Sequence, residues 1–283
     1  VGNIVSSGWF GPWQADSPRD TPVQGAYTFQ HADLSTIKGI GGILSSEGKY
    51  SGTLNKLVVD GSTDTPDFHI QSNGHPVPLH TDFHAIVDTT NGDTYLRLLK
   101  AKILNTRLVA SGSVVRLKEP HGHRITLDVA VEEGKIQDLL KLAVHTNPPI
   151  ISGAVELQTD FDLLPGNSAI CDRLQLAGRF HVSQAHFANE KIQEKIDLVS
   201  MRTRGRTALL RKDIIDDVSS DVSGVFDLRS GVLQFSELHF DIPGTRVDFT
   251  GQYSLDGKLF DFHGKARLDA RLSQMVTGWK RIL

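Results

Sequence analysis

The sequence predicts a mainly β protein: a long antiparallel meander that forms a curved groove or an open sandwich, with a few short amphipathic helices. Three observations predict this class. Apolar and polar residues alternate with a period of two in many segments, which is typical of strands with one buried face. Turn-forming pairs such as Ser230-Gly231 and Asp256-Gly257 separate several of these segments. Only three segments have the spacing of an amphipathic helix.

The first clear strand is predicted at residues 77–87, where Thr81 interrupts an otherwise apolar face. The same alternation predicts further strands at residues 125–131, 155–163 and 174–182. Each of these segments presents charged or amide side chains on its other face. The pattern therefore indicates a sheet with one apolar face and one face in water.

The C-terminal part repeats strand and turn most tightly. Turns are predicted at Ser230-Gly231, Pro243-Gly244 and Asp256-Gly257, and a change of phase near Ser236-Glu237 predicts a β-bulge. The apolar positions of these strands are predicted to share one face, which makes them candidates for lining a groove. They are Phe226, Leu228, Leu233, Phe235, Val247, Phe249, Tyr253, Phe260 and Phe262.

Helical spacing predicts a short helix at residues 136–144 and another at 272–279. Asn189 is predicted to cap a third helix that begins just after it. Residues 206–221 are polar and poorly periodic, which favours a loop. Residues 1–24 are rich in Gly and Pro and are predicted to be a mostly irregular lead-in.

Residues 25–283 are predicted to form one repeating β-rich region, with a subdivision left open near residues 150 and 220. So few helices cannot cover a sheet of roughly a dozen strands. The apolar face must therefore curl over, pack against a second sheet or hold an apolar ligand. The chain does not begin with Met and stops on an apolar segment, so we expect a fragment of a longer protein.

Composition excludes several classes of protein. The formal net charge is −3, which argues against a nucleic-acid partner. Cys171 is the single cysteine, so an internal disulfide or a zinc site built from several cysteines is impossible. No stretch approaches the roughly 18 apolar residues of a membrane span, and no secretory leader begins the chain.

Catalytic motifs are absent from the sequence. It has no complete nucleophile elbow, Walker loop or His-Glu-x-x-His motif. His121 with His123, and the histidines at 75, 80 and 84, are candidate metal ligands without a recognisable spacing. An acidic segment at residues 60–67, with Gly61 and Pro66, favours a turn. This segment and the histidines between residues 75 and 84 are the remaining hints of an enzyme. We therefore predict no enzyme, no metal site and no cofactor.

Several segments in the first third of the chain have distinctive combinations of residues, and a later block has a regular pattern of glycines and apolar residues. The distinctive segments are residues 10–13, 25–29, 32–34, 39–42, 50–52, 59–68, 74–79 and 92–96. Together with the block at 222–257, they resemble members of the AsmA-like family and its C-terminal region.

That resemblance implies a protein of diderm bacteria that is anchored in the inner membrane by an N-terminal helix and extends into the periplasm as a long β-rich structure. Such proteins are similar to the repeating β-groove proteins that move phospholipid between membranes, and they are implicated in the biogenesis and maintenance of the outer membrane. The expected partners are phospholipid acyl chains and the envelope membranes. The family supplies no catalytic residues.

In an alternative interpretation, the same apolar face forms part of a closed hydrophobic core. The protein would then tether or assemble envelope components and carry no lipid, and exposed edge strands would recruit partners by β-augmentation. The two readings differ in whether the phenylalanine side chains are accessible. A groove leaves them open to a lipid, whereas a closed core buries them.

Overall fold

A computed structural model describes residues 2–37, 39–71, 75–119, 121–143, 148–203 and 218–268. The predicted helix at 272–279 lies outside these residues, as does most of the predicted loop at 206–221. The strands in the first half are β1 (Asn3–Phe10), β2 (Pro22–Asp33), β3 (Ile40–Gly41), β4 (Ile43–Thr53), β5 (Lys56–Ile70), β6 (Val77–Asp88), β7 (Thr94–Ile103) and β8 (Thr106–Leu117). The elements that follow are β9 (Gly122–Lys135), α1 (Ile136–Ala143), β10 (Ile151–Leu163), α2 (Ile170–Arg173), β11 (Leu174–Phe187), α3 (Glu190–Thr203), β12 (Ser220–Arg229), β13 (Val232–Ile242), β14 (Thr245–Ser254) and β15 (Phe260–Leu268).

The strands form one antiparallel sheet in which neighbours in sequence are neighbours in space. Its order is β1-β2-β4 and then β5 to β15 in succession, and the two-residue strand β3 pairs with β5 away from this path. This topology confirms the predicted mainly β meander with few short helices. Pairing continues without interruption from β9 to β10 and from β11 to β12, so the sheet runs through the regions near residues 150 and 220.

The predicted irregular lead-in is wrong for Asn3–Phe10, because these residues form β1 and pair with β2 along their whole length. The alternation of β1 is hard to see in the sequence because its inward positions include Ser6 and Gly8. These small residues fit beside large neighbours: Ser6 Oγ lies 2.9 Å from the Tyr50 hydroxyl oxygen. Part of the apolar surface beside β1 therefore comes from aromatic rings of other strands, and the sequence of β1 alone does not show it.

The short turns and bulges of the C-terminal half match their predictions. Ser230 and Gly231 both have positive φ angles of 49° and 74°, which is typical of a tight hairpin turn. The register between β13 and β14 shifts between Phe235 and Leu238, where the bulge is predicted.

Two helices cover one end of the sheet. α1 joins β9 to β10, and its Ile136 and Leu139 pack on a buried cluster that includes Val131 and Val155. α3 joins β11 to β12, and its Ile196 packs with partners from β13 and the segment before β12. Both connections follow strands of the same direction, so both helices lie at the same end of the sheet.

A buried aspartate anchors each helix. Asp138 of α1 is 4% exposed and accepts hydrogen bonds from Asn105 N at 2.9 Å and Thr106 Oγ1 at 3.1 Å. Asp197 of α3 is 3% exposed and accepts from Val218 N at 3.2 Å. The Asn189 side chain accepts from the first backbone N–H groups of α3, which confirms it as the helix cap.

The sheet coils with its apolar face inside. α1 packs on that face, and its Lys141 carbonyl accepts a 2.8 Å hydrogen bond from His75 N, which lies between β5 and β6. A Cβ atom placed on Gly39, just before β3, would lie 2.7 Å from Cβ of Ile170, which follows β10. Such contacts between distant strands require a strongly twisted and curled sheet. The fold is therefore a curled sheet whose apolar face lies on the inner, concave side.

Candidate functional site

The register places all nine predicted groove residues on one face of the sheet. Phe226 is opposite Phe235, Leu228 is opposite Leu233, and Leu233 is opposite Tyr253. Residues directly opposite each other in a sheet share a face, as do alternate residues along a strand. The remaining members follow from the same pairings: Tyr253 with Phe260, Phe262 two residues further along β15, and Val247 and Phe249 at alternate positions of β14.

The same face extends far beyond the predicted residues, because pairings can be followed from β1 to β15. One row of directly opposite residues is Gly8, Gly25, Tyr50, Val59, Ala85, Leu96, Gly112, Leu127, Phe161, Leu176, Leu228, Leu233, Tyr253 and Phe260. A second row is Ser6, Tyr27, Gly48, Gly61, Phe83, Leu99, Ala110, Val129, Thr159, Gly178, Phe226, Phe235, Gly251 and Phe262. Neither row contains a charged residue. We call this surface the apolar face.

Aromatic rings on the apolar face lie beside glycines of neighbouring strands. A Cβ on Gly25 would lie 2.5 Å from the Tyr50 hydroxyl oxygen, and a Cβ on Gly61 would lie 2.9 Å from Cζ of Phe83. A Cβ on Gly251 would lie 2.7 Å from Cδ1 of Phe262. The glycines therefore make room for large rings, and the alternation of large and small residues shapes the face.

The C-terminal strands carry a continuous aromatic cluster. The Phe180 ring centre lies 6.2 Å from that of Phe226 and 6.3 Å from that of Phe235. Phe262 lies 6.0 Å from Phe235 and 4.9 Å from Phe260. Phe235 and Phe262 come from strands that are not neighbours, so their rings meet across β14. These distances fall in the range in which aromatic rings attract each other.

The apolar face remains accessible along most of its length. In the two rows, Ala85, Ala110 and Leu228 are buried, whereas every aromatic side chain is half-buried or exposed. Tyr253 is 36% exposed and Phe260 is 75% exposed. Among the described residues, no aromatic side chain belongs to the buried core. A closed core would bury these rings, so the described sheet is open on its apolar face, as in a curved groove or an open sandwich.

Sequence reasoning missed the part of this face that β2, β4 and β5 contribute. Tyr27, Tyr50 and Val59 lie on it, but glycine and serine at neighbouring inward positions dilute the apolar alternation. A usable signal is the spacing of Gly25 with Tyr27 and of Gly48 with Tyr50. Two residues apart on a strand, each pair must share a face.

The opposite face is mainly polar, although Val58, Ile86 and Tyr95 also lie on it. It contains the histidines and aspartates that suggested an enzyme. Residues 60–67 lie within β5, so their interpretation as a turn is wrong. His84 Nδ1 lies 2.7 Å from Asp60 Oδ1, and His80 Nδ1 lies 2.6 Å from Asp64 Oδ1. Each pair joins directly opposite residues of β5 and β6. These carboxylates and imidazoles thus serve as cross-strand pairs.

The same device recurs near the C terminus, where His239 Nδ1 lies 2.7 Å from Asp248 Oδ1. The hydrogen bond from His239 is the main cause that holds the pKa of Asp248 below its usual range. No three His, Cys, Asp or Glu side chains gather into a possible metal site in the described part of the chain. The polar face is therefore organised by pairs of charges.

The His80–Asp64 pair predicts a small pH dependence of stability. The hydrogen bond with Asp64 raises the pKa of His80 above its ordinary value of 6.5. The stabilisation that the His80–Asp64 pair contributes to the fold is therefore complete below pH 6.5, and it is lost as the pH rises through the raised pKa of His80. We expect His80→Asn to destabilise the protein more at pH 6 than at pH 8.5 in urea unfolding, by less than about 1 kcal/mol because the pair is exposed. Asp64→Asn should show the same pH dependence, and equal losses at both pH values would contradict it.

Comparisons with known proteins identify no relative. No family model matches the chain, and neither a curated protein nor a solved structure matches it significantly. Among the described residues, no helix has the length and apolar character needed to cross a membrane. The fold and site define a class only: an open, coiled antiparallel sheet with a continuous apolar face.

Proposed function

We propose that this chain is a lipid-binding module that holds acyl chains against the apolar face. The observation that carries the proposal is the pair of uncharged rows that cross the sheet from β1 to β15 with their aromatic side chains still accessible. A second sheet that would cover this face is absent from the described residues. Of the described helices, α1 and α3 pack over one end of this face.

The dimensions of the apolar face suit an acyl chain. A strand of about ten residues is roughly 33 Å long and turns about five side chains to one face. Each methylene removed from water contributes about 0.8 kcal/mol, so burying eight of them contributes roughly 6 kcal/mol. A charged headgroup would remain at the open side, in water.

The cellular part of the proposal rests on the sequence resemblance to the AsmA-like family. We propose a non-catalytic role in which the chain is part of a periplasmic protein anchored to the inner membrane. There it would conduct phospholipid toward the outer membrane. Two features of the described strands are compatible with this role: an apolar face that runs across many strands, and aromatic side chains on that face that are not fully buried.

The alternative, a structural tether with a closed core, has less support. It requires Phe226, Phe235 and Phe262 to be fully buried, yet each is only half-buried. Phe260 would also have to be covered, and it is three-quarters exposed. Accessibility of these rings is the property that separates the two functions.

Native mass spectrometry tests the lipid-binding function. The purified chain is incubated with phospholipid vesicles, separated from them and measured without denaturation. We expect adducts of phospholipid mass at one or a few molecules per chain, with the same lipids recovered by extraction. A folded chain that carries no lipid after this incubation would contradict the proposal and favour the structural alternative.

A further inference from the structure

The apolar face differs in chemical character between its first and its last strands. On the strands from β1 to β6 it carries hydroxyl-bearing side chains that are not fully buried, and we call them the hydroxyl patch. They are Ser6, Tyr27, Ser46, Tyr50, Thr63 and Thr81. Ser46, Thr63 and Thr81 are directly opposite one another on β4, β5 and β6. On β10 to β15 the same row has no polar side chain and consists of Leu157, Phe180, Gly224, Leu238, Phe249 and Gly264.

The hydrogen bonds within the hydroxyl patch fix which of its groups remain available to a ligand. A hydroxyl group has one proton to donate and two lone pairs that accept. Ser6 Oγ and Ser46 Oγ each donate to a backbone carbonyl, at 3.2 Å and 2.9 Å. Because these protons are committed, the Tyr50 hydroxyl donates to Ser6 Oγ at 2.9 Å, and the Tyr27 hydroxyl donates to Ser46 Oγ at 3.1 Å. Both tyrosine oxygens therefore keep lone pairs that accept, but they have no proton left to donate.

The two threonines of the patch supply the opposite property. Thr63 and Thr81 form a hydrogen bond with each other through their hydroxyl groups. That bond uses one proton, so the pair keeps a second proton that can be donated. The patch thus offers two acceptors on tyrosine and one donor on threonine, on half-buried side chains and without a charge.

We propose that the hydroxyl patch binds the hydroxyl-bearing part of an uncharged lipid, such as the glycerol end of a monoacylglycerol, while the acyl chain lies along the row of leucine and phenylalanine residues. This inference rests on the proposed lipid-binding function and names the class of ligand. A glycerol hydroxyl both donates and accepts, so it matches both kinds of group in the patch. A phosphate group only accepts and is charged, so it would meet the lone pairs of the tyrosine oxygens and would lose water without a compensating charge.

Competition binding with two esters of the same chain length tests the ligand class. Monodecanoylglycerol and methyl decanoate share the acyl chain and the ester carbonyl, but only the first carries hydroxyl groups. Each ester displaces the fluorescent hydrocarbon diphenylhexatriene from the purified chain, which gives two dissociation constants and their ratio. In Tyr27→Phe/Tyr50→Phe we expect binding of monodecanoylglycerol to weaken at least about fivefold relative to methyl decanoate, because two acceptors are lost. Both rings are retained and no donor in the patch loses its acceptor, so the fold should be kept.

Tyr95→Phe is the matched control, because Tyr95 lies on the opposite face and is 42% exposed. It makes the same chemical change away from the patch and should leave the ratio unchanged. If both esters bind and the double variant keeps the ratio of the unchanged chain, the hydroxyl patch is only a set of internal hydrogen bonds, while the lipid-binding function stands. If the unchanged chain binds neither ester nor diphenylhexatriene, the lipid-binding function fails and this inference fails with it.

The single variants keep the test decisive if the double variant does not fold. Loss of diphenylhexatriene binding would reveal such a failure, since the hydrocarbon forms no hydrogen bond with the patch. Tyr27→Phe and Tyr50→Phe are then measured separately, and each should lower the preference for monodecanoylglycerol. An unchanged ratio in both single variants would refute the inference.

Discussion

Phe249→Asp is expected to abolish lipid binding while leaving the sheet folded. Phe249 lies in the interior of the apolar face, half-buried and directly opposite Leu238 and Gly264. A carboxylate there would have to lose water whenever an acyl chain covered it, which costs several kcal/mol. Each 1.4 kcal/mol is a tenfold change in affinity, so we expect binding to weaken by at least about a hundredfold. The measurement is lipid occupancy by native mass spectrometry after incubation with vesicles.

A neighbouring position supplies the matched control. Thr250 follows Phe249 on β14, is exposed and points to the polar face. Thr250→Asp introduces the same charge on the same strand without touching the proposed groove, so lipid occupancy should stay unchanged. Phe262→Asp on the edge strand β15 repeats the test where a charge is easier to accommodate in the fold. If folded Phe249→Asp and Phe262→Asp proteins bind lipid like the unchanged chain, the groove assignment is wrong.

The C-terminal hairpins were predictable because their turn residues, their bulge and their apolar alternation all indicate the same strands. Ser230-Gly231 and Asp256-Gly257 fix the turns, and one bulge shifts the phase where the sequence changes phase. Once these are in place, the period of two assigns every inward side chain. All nine predicted groove residues therefore share a face, although lipid binding itself stays a prediction.

The N-terminal strands could not be assigned in the same way, because their alternation is between rings and glycines. Gly48, Gly61 and Ser6 occupy inward positions that a hydrophobic pattern does not detect. Pro66 and the aspartates of residues 60–67 have the composition of a turn, yet they lie in the strand β5. The aspartates are recognised as strand residues only through their cross-strand partners, such as His80 and His84. Those partners lie about 16 to 24 residues away in the sequence.

The coiling of the sheet depends on contacts between residues that are still further apart in the sequence. The hydrogen bond from His75 N to the Lys141 carbonyl joins two connections that no local pattern relates. The position of α1 on the apolar face follows from this contact and from the buried Asp138. Sequence periodicity identifies the helix but gives no information about which face it covers.

Gly61→Ala is expected to destabilise the protein, although alanine is normally the better residue in a strand. Replacing a strand glycine usually gains roughly 0.5–1 kcal/mol from lost chain entropy in the unfolded state. At Gly61, however, the new Cβ would lie 2.7 Å from the Glu47 carbonyl oxygen and 2.8 Å from the Tyr27 hydroxyl oxygen. The Tyr27 ring can move. The Glu47 carbonyl, however, belongs to the backbone of the paired strand β4, and shifting it would disturb the hydrogen bonds between β4 and β5.

Overpacking of this kind typically costs 1–3 kcal/mol, which exceeds the entropic gain, so we expect a net loss of about 1–2 kcal/mol in urea unfolding. Ser62→Ala, at the next residue and on the polar face, should change stability by less than about 0.5 kcal/mol. Displacement of the Tyr27 and Phe83 rings should also lower lipid occupancy if those rings border an acyl chain. A Gly61→Ala protein that is more stable than the unchanged chain would show that the rings do not depend on the glycine. The apolar face would then tolerate larger side chains than its row of glycines implies.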